Sequence, residues 1–237
     1  MMTLTRYGIR EWGTGGFAAL LLIVAGCRLA FCGWPRTGGG IAAAAFILWV
    51  LLAAFFRSPS RRIPPDAAAV TAPADGVVRD IETVADFNMP PFEGKALRIG
   101  IFLSVFNVHV NRAPAAFSVT GKFYRKGEYL DARHPECGRR NEAMTLAGTG
   151  RAGAEEFPLA VRQISGAIAR RIVCPVEPGR ELAKGEVYGM IKFGSRTELY
   201  LPAEGFDVRV KVGDPVRGGE TVLATVRGRQ GKNGETI

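Results

Sequence analysis

Two long apolar runs near the N-terminus restrict this chain more than any other feature. Residues 15–56 carry no charged side chain except Arg28 and Arg36. The first run, residues 15–34, is twenty residues interrupted only by Arg28, and the second, residues 41–56, is sixteen residues without a charge. A helix crossing a bilayer needs about 20 apolar residues. The first run meets that length if Arg28 snorkels, since a charge near mid-bilayer costs at least a few kcal/mol. The second must borrow from Gly38–Gly40 or rest at the interface. Residues 33–40, Gly-Trp-Pro-Arg-Thr-Gly-Gly-Gly, read as a tight turn between them. A cleaved signal peptide or a buried core helix would also be apolar, but a signal peptide has one run and a small-residue cleavage site, not a second run behind a turn. The expectation is a helical membrane hairpin over residues 1–60. Arg6 and Arg10 precede it and Arg57, Arg61 and Arg62 follow, against Arg36 alone in the turn. The positive-inside rule then puts both ends in the cytoplasm, at the inner membrane, with Trp12, Trp34 and Trp49 as interfacial anchors.

Beyond the hairpin the composition is mixed. Residues 57–237 hold 27 basic and 21 acidic side chains, a balance of +6 within the overall +9. That diffuse positive charge suits an anionic partner such as a phospholipid surface. No nucleic-acid-binding motif is present, so nucleic acid is not the expected partner. Cys27 and Cys32 lie in the apolar region, and Cys137 and Cys174 are far apart. With no Cys-x-x-Cys pair and two histidines, a zinc site of ordinary spacing is not expected, and free thiols in a reducing compartment are.

From about residue 63 onward short β-rich runs alternate with Gly, Pro and Asp: residues 76–84, 97–110, 116–125, 159–173, 197–201 and 206–212. Residues 163–171 fit strand or helix equally. One repeat stands out: Val176-Glu-Pro-Gly-Arg-Glu-Leu-Ala-Lys-Gly-Glu186 and Val210-Lys-Val-Gly-Asp-Pro-Val-Arg-Gly-Gly-Glu220 share a pattern at a 34-residue offset. Glycines at fixed offsets supply the positive φ of tight turns. Two such copies predict two related β-turn-β units about a pseudo-twofold axis, like the halves of a lipoyl- or biotinyl-type barrel. The fold class expected is α+β, predominantly β, with lipoyl/biotinyl-like barrel elements after the N-terminal hairpin.

Four segments carry chemistry. They are Pro73-Ala-Asp-Gly76, Ile101-Phe-Leu-Ser-Val-Phe-Asn-Val-His-Val-Asn-Arg-Ala-Pro114, Gln163-Ile-Ser-Gly-Ala-Ile-Ala-Arg-Arg-Ile-Val173, and Gly189-Met-Ile-Lys-Phe-Gly-Ser-Arg-Thr-Glu-Leu-Tyr-Leu-Pro202. Together and in this order they resemble the phosphatidylserine decarboxylases, most closely the short form that is little more than a membrane anchor and a catalytic core. The resemblance implies self-cleavage between Gly194 and Ser195. Ser195 would become a covalent pyruvoyl cofactor, leaving a β chain, 1–194, and an α chain, 195–237, associated within a catalytic domain of residues 61–237. The implied substrate is phosphatidylserine in the membrane, decarboxylated to phosphatidylethanolamine and CO2 through a Schiff base with its amine. The sequence is also compatible with a homo-oligomer.

The residue types fit that chemistry. Glycine before serine opens backbone conformations closed to other residues and leaves the Gly194 carbonyl accessible. Ser195 Oγ would attack that carbonyl to give an ester. Removal of the Ser195 α-proton then eliminates it, and hydrolysis leaves pyruvoyl and ammonia. Serine needs a base within reach. His109 alone reads as a structural histidine on an apolar strand, but within its segment it reads as that base. Asp75, although Asp-Gly is also a common turn, would orient the imidazole. His134 reads as a solvated loop residue. Longer relatives carry a second histidine where this chain has Arg112, so His109 would serve more than one step or be assisted by water or Arg112.

Three rival readings stay open from the residues alone. A pyruvoyl enzyme could act on a soluble amino acid. A serine hydrolase could use uncleaved Ser195, although residues 193–197 lack the Gly-x-Ser-x-Gly elbow. A membrane-tethered lipoyl-like carrier would do no chemistry.

Overall fold

The computed structural model describes residues 2–167, 171–192 and 195–227, which form two compact units, Met1–Ser60 and Arg61–Ile237.

In the first unit α1 (Ile9–Phe31) and α2 (Pro35–Phe55) lie against each other, and β1 (Met2–Leu4) pairs antiparallel with β2 (Arg57–Pro59) at the open end. Small residues let the helices approach: a Cβ on Gly26 would stand 2.6 Å from the Gly38 carbonyl oxygen. Trp49 Nε1 donates to the Trp12 carbonyl at 3.3 Å. The turn is shorter than the glycines of residues 33–40 suggest. Gly33 takes the positive φ of +97°, and Pro35 already opens α2, its fixed φ suiting the first helical position. The three glycines are therefore helical. Both helices are long and apolar enough to cross a membrane, and Phe17, Leu20, Leu21, Phe46 and Leu48 are exposed.

The second unit is almost entirely strand. In chain order it contains β3 (Ala69–Thr71), β4 (Gly76–Val84), β5 (Ala96–Leu103), β6 (Val110–Arg112), β7 (Ala116–Arg125), the short helix α3 (Cys137–Arg140), β8 (Ala143–Ala152) and β9 (Glu155–Ile164). There follow β10 (Arg171–Val173), β11 (Glu181–Leu182), β12 (Val187–Lys192), β13 (Ser195–Pro202), β14 (Phe206–Val208), β15 (Pro215–Val216) and β16 (Val222–Val226). Among the described residues an eight-stranded antiparallel sheet has the order β11-β7-β8-β9-β13-β5-β4-β15. Two three-stranded sheets, β10-β12-β6 and β14-β16-β3, accompany it, and no sheet closes on itself. The α+β, mainly β class follows directly.

The 34-residue repeat is structural. Gly179 and Gly213 adopt φ of +91° and +97°, and Gly185 and Gly219 adopt +82° and +78°. Gly179 N donates to Val119 O as Gly213 N donates to Val78 O, and Gly185 N to Ala113 O as Gly219 N to Ala72 O. Each copy supplies a two-residue edge strand, β11 or β15, at opposite ends of the large sheet, then the middle strand, β12 or β16, of a small one. The main core, including Val78, Ile99, Phe117, Leu159, Leu199 and Leu223, fills the space between.

Two expected strands are broken. Residues 97–110 divide into β5 and β6, and residues 159–173 into β9 and β10. In each case the chain leaves the large sheet and enters a small one.

Candidate active site

These breaks define the site. In the large sheet β9, β13 and β5 are neighbours, and in a small sheet β10, β12 and β6 are neighbours in the same order. Three passages between the sheets follow, after Ile164, after Lys192 and after Leu103. The Gly194–Ser195 bond belongs to the middle one. Phe193 and Gly194 lie outside the described residues. Ser195 opens β13 with its Cα opposite Leu103 of β5.

Ser195 is fully buried, and its Oγ has no hydrogen-bond partner among the described residues. An orphaned buried hydroxyl costs about 1–3 kcal/mol and calls for an explanation.

His109 is also fully buried. Its carbonyl accepts from Ile191 N at 3.2 Å, so the β6–β12 ladder reaches back to it. A tight turn sets its ring: Asn107 N bonds Ser104 O, and Asn107 Oδ1 accepts from Ser104 N and Oγ at 2.8 Å each. The Asn107 carbonyl then lies 2.9 Å from His109 Nδ1. A carbonyl only accepts, so Nδ1 donates this bond.

Asp75 has partners of its own. Its carboxylate takes Arg61 Nη2 at 2.9 and 2.8 Å and Gly218 N at 2.8 Å, and none of these bonds reaches His109. The group seen holding the imidazole is the Asn107 carbonyl. Arg112 lies near the Arg61–Asp75 pair and donates to Gly185 O at 2.9 Å. Burial, then repulsion from Arg61, lowers its pKa, while Asp75 and Glu220 oppose the shift.

The two faces of β13 have separate partners. Thr197 faces inward with Ser195. There Gln163 Nε2 donates to Asn111 Oδ1 at 2.8 Å, and Asn111 Nδ2 donates to Thr197 Oγ1 at 3.1 Å. Outward, Arg196 pairs with Asp80 and Glu198 at 2.7 and 2.9 Å, and Tyr200 donates to Glu198. Burial disfavours the Arg196 charge, but the two carboxylates outweigh it and raise its pKa. Phe87 stacks on the Tyr200 ring at 4.0 Å and helps bury this face.

A cavity of about 320 Å³ opens beside Ser195's partner Leu103, lined by Phe102, Ser104, Val105, Asp131, Arg133 and Ala167 among others. Its walls thus come from the residues around Leu103, from Ala167 and from the loop that carries Asp131 and Arg133. Val105 and Phe106 beside it are 40% and 83% exposed. His134 is exposed on the neighbouring loop, its Nδ1 accepting from Glu136 N. Among the described residues no three His, Cys, Asp or Glu side chains gather as a metal site.

Asn111, Thr197 and Gln163 were not evident as site residues. A usable signal existed for Thr197: on a strand, residues two apart share a face, and Thr197 follows Ser195 by two along β13.

A buried serine at a break in a β core, a buried histidine held by a backbone carbonyl and a cavity bordered by Leu103 are the features the site presents. Comparison with known proteins gives the family: a sequence profile of phosphatidylserine decarboxylases matches residues 50–224. The phosphatidylserine decarboxylase proenzyme of Carboxydothermus hydrogenoformans is 44% identical over 183 residues, 77% of this chain and 83% of that protein. The proenzyme of the same name from Trichlorobacter lovleyi is 43% identical over 182 residues, covering 77% and 80%. That of Nitrosomonas eutropha is 39% identical over 209 residues, covering 82% and 94%. The chain belongs to the phosphatidylserine decarboxylase family, and it is a carboxy-lyase.

Proposed function

We propose that this chain cleaves itself between Gly194 and Ser195 and then decarboxylates phosphatidylserine to phosphatidylethanolamine. The observation that carries the reading is the buried Ser195 hydroxyl at the head of β13, directly after the glycine and without a partner among the described residues, opposite Leu103 on the cavity wall. The pyruvoyl group derived from Ser195 supplies a carbonyl that condenses with the substrate amine and takes up the electrons released with CO2. His109 Nε2 accepts the Ser195 hydroxyl proton and later the α-proton. Asp75 acts at one remove, fixing Arg61 and the Gly218 turn near Arg112. Arg133 on the cavity rim offers a positive charge to the phosphate.

Cutting before Ser195 need not separate the products. β13 lies between β9 and β5, so the α chain's first strand stays hydrogen-bonded on both edges to the β chain. A 43-residue α chain of residues 195–237 has too little core to stand alone. The paired repeats support lipoyl-type barrel halves as the ancestry of this core. The two apolar helices and the arginines flanking them support an inner-membrane hairpin with the catalytic unit, residues 61–237, in the cytoplasm.

The test is CO2 release from phosphatidylserine in detergent-mixed vesicles by the purified full chain. Turnover is expected with the phospholipid and not with free serine, and Ser195→Ala is expected to be inert. His109→Ala should slow self-cleavage by roughly 10²- to 10⁴-fold, the usual contribution of a general base. Turnover by Ser195→Ala would overturn the proposal.

A further inference from the structure

The inner face of the sheet break holds three fully or almost fully buried polar side chains, Gln163, Asn111 and Thr197, at 1%, 0% and 0% exposure. Polar groups in such a place are costly unless bonded to one another. Here they are joined in a line. Gln163 and Thr197 are cross-strand neighbours on β9 and β13 of the large sheet. Asn111 belongs to β6 of the small sheet and reaches both, at 2.8 and 3.1 Å. Gly189, opposite Asn111 on β12, makes room: a Cβ there would stand 2.9 Å from Gln163 Nε2.

The line of amides and hydroxyl therefore ties the two sheets together across the inside of the corner they form. Strand periodicity gives the tie its meaning. Ser195 precedes Thr197 by two along β13 and shares its face, and His109, two residues before Asn111, is tied to the start of β6 where its carbonyl accepts from Ile191 N at 3.2 Å. The Asn111–Thr197 bond fixes how β6 and β13 meet, and hence where the imidazole stands relative to the hydroxyl.

We infer that Asn111, held by Gln163 and bonded to Thr197, is a positioning residue that aligns His109 with Ser195 for self-cleavage. This role rests on the proposed self-cleavage. The step it serves is the acyl shift: the Ser195 Oγ–Gly194 carbonyl bond forms, the Gly194–Ser195 peptide C–N bond breaks, and the hydroxyl proton passes through His109 to the departing Ser195 nitrogen. A small misalignment at such a step can cost about a hundredfold in rate.

The test follows newly synthesised full-length chain by timed denaturing electrophoresis. Thr197→Val keeps the shape and removes the hydroxyl, and Thr197→Ser keeps the hydroxyl. Thr197→Val is expected to split about ten- to a hundredfold more slowly, and Thr197→Ser close to the wild-type rate. Asn111→Ala combined with Thr197→Val should be no slower than Asn111→Ala alone, because both changes break one bond. Melting of the same variants in a Ser195→Ala background, where every chain stays whole, separates alignment from unfolding. Should Thr197→Val not melt cooperatively, Gln163→Met serves instead and is expected to slow splitting about tenfold. Wild-type splitting by a folded Thr197→Val or by Gln163→Met, or a Thr197→Ser as slow as Thr197→Val, overturns the role. A wild-type chain that never splits overturns the self-cleavage reading and this role with it.

Discussion

Arg196 grips Asp80 with both arms of its guanidinium, Nη2 to Oδ1 and Nη1 to Oδ2 at 2.7 Å each. The two residues belong to β13 and β4, which are separated by β5, so the side chain passes over Gly100. A Cβ on Gly100 would stand 2.7 Å from both the Arg196 guanidinium carbon and Asp80 Oδ1. Arg196 is thus locked across three strands, on the face opposite Ser195.

Removing that lock should unfold the core before it alters the chemistry. Arg196→Met removes the nearest cation of Asp80 and of the fully buried Glu198, leaving only Arg98 at 3.4 Å and Arg162 at 3.6 Å, and should cost roughly 3–5 kcal/mol. Gly100→Ala should cost about 1–3 kcal/mol through overpacking. Denaturant unfolding in a Ser195→Ala background measures both, and wild-type stability for Arg196→Met would contradict this view of the face.

Asp75 and His109 should separate cleanly. Asp75→Asn weakens the buried Arg61 pair and should destabilise the chain by about 3 kcal/mol. The pH dependence of self-cleavage should remain that of the wild type, because the His109 ring is held by the Asn107 carbonyl. A pH profile displaced by Asp75→Asn would place the carboxylate in contact with the imidazole after all.

Asp131 on the cavity rim provides a pH prediction. Hydrogen bonds from the Arg133 side chain and backbone lower its pKa from 3.8 to about 2. A depressed carboxylate stabilises the fold above its unfolded value, and that contribution is lost as pH falls through the folded one. The rim pair should therefore persist at pH 4 and open only towards pH 2. Carboxyl NMR titration should find a midpoint near 2, moving back towards 3.8 in Arg133→Ala. A wild-type midpoint near 3.8 would contradict the pairing.

Local pattern revealed what local pattern controls. The expected limits of residues 76–84 and 116–125 are those of β4 and β7, and the glycine repeat located both edge strands of the large sheet. The breaks after Leu103 and Ile164 escaped notice because apolar residues continue through Val105, Phe106 and Val108, and a change of sheet is decided by partners far along the chain. The same holds at the site. Ser195 and His109 stand in recognisable segments, but Asp75 finds Arg61 and Gly218, the latter 143 residues away. Asn111 finds Thr197 86 residues away. No neighbouring residue announces either choice.

The most direct measurement is the intact mass of the purified chain beside Ser195→Ala. Self-cleavage predicts two pieces, residues 1–194 and 195–237, the smaller blocked at its N-terminus and lighter than its sequence by one ammonia, with the mutant whole. An active wild-type preparation that runs as one 237-residue chain would contradict it.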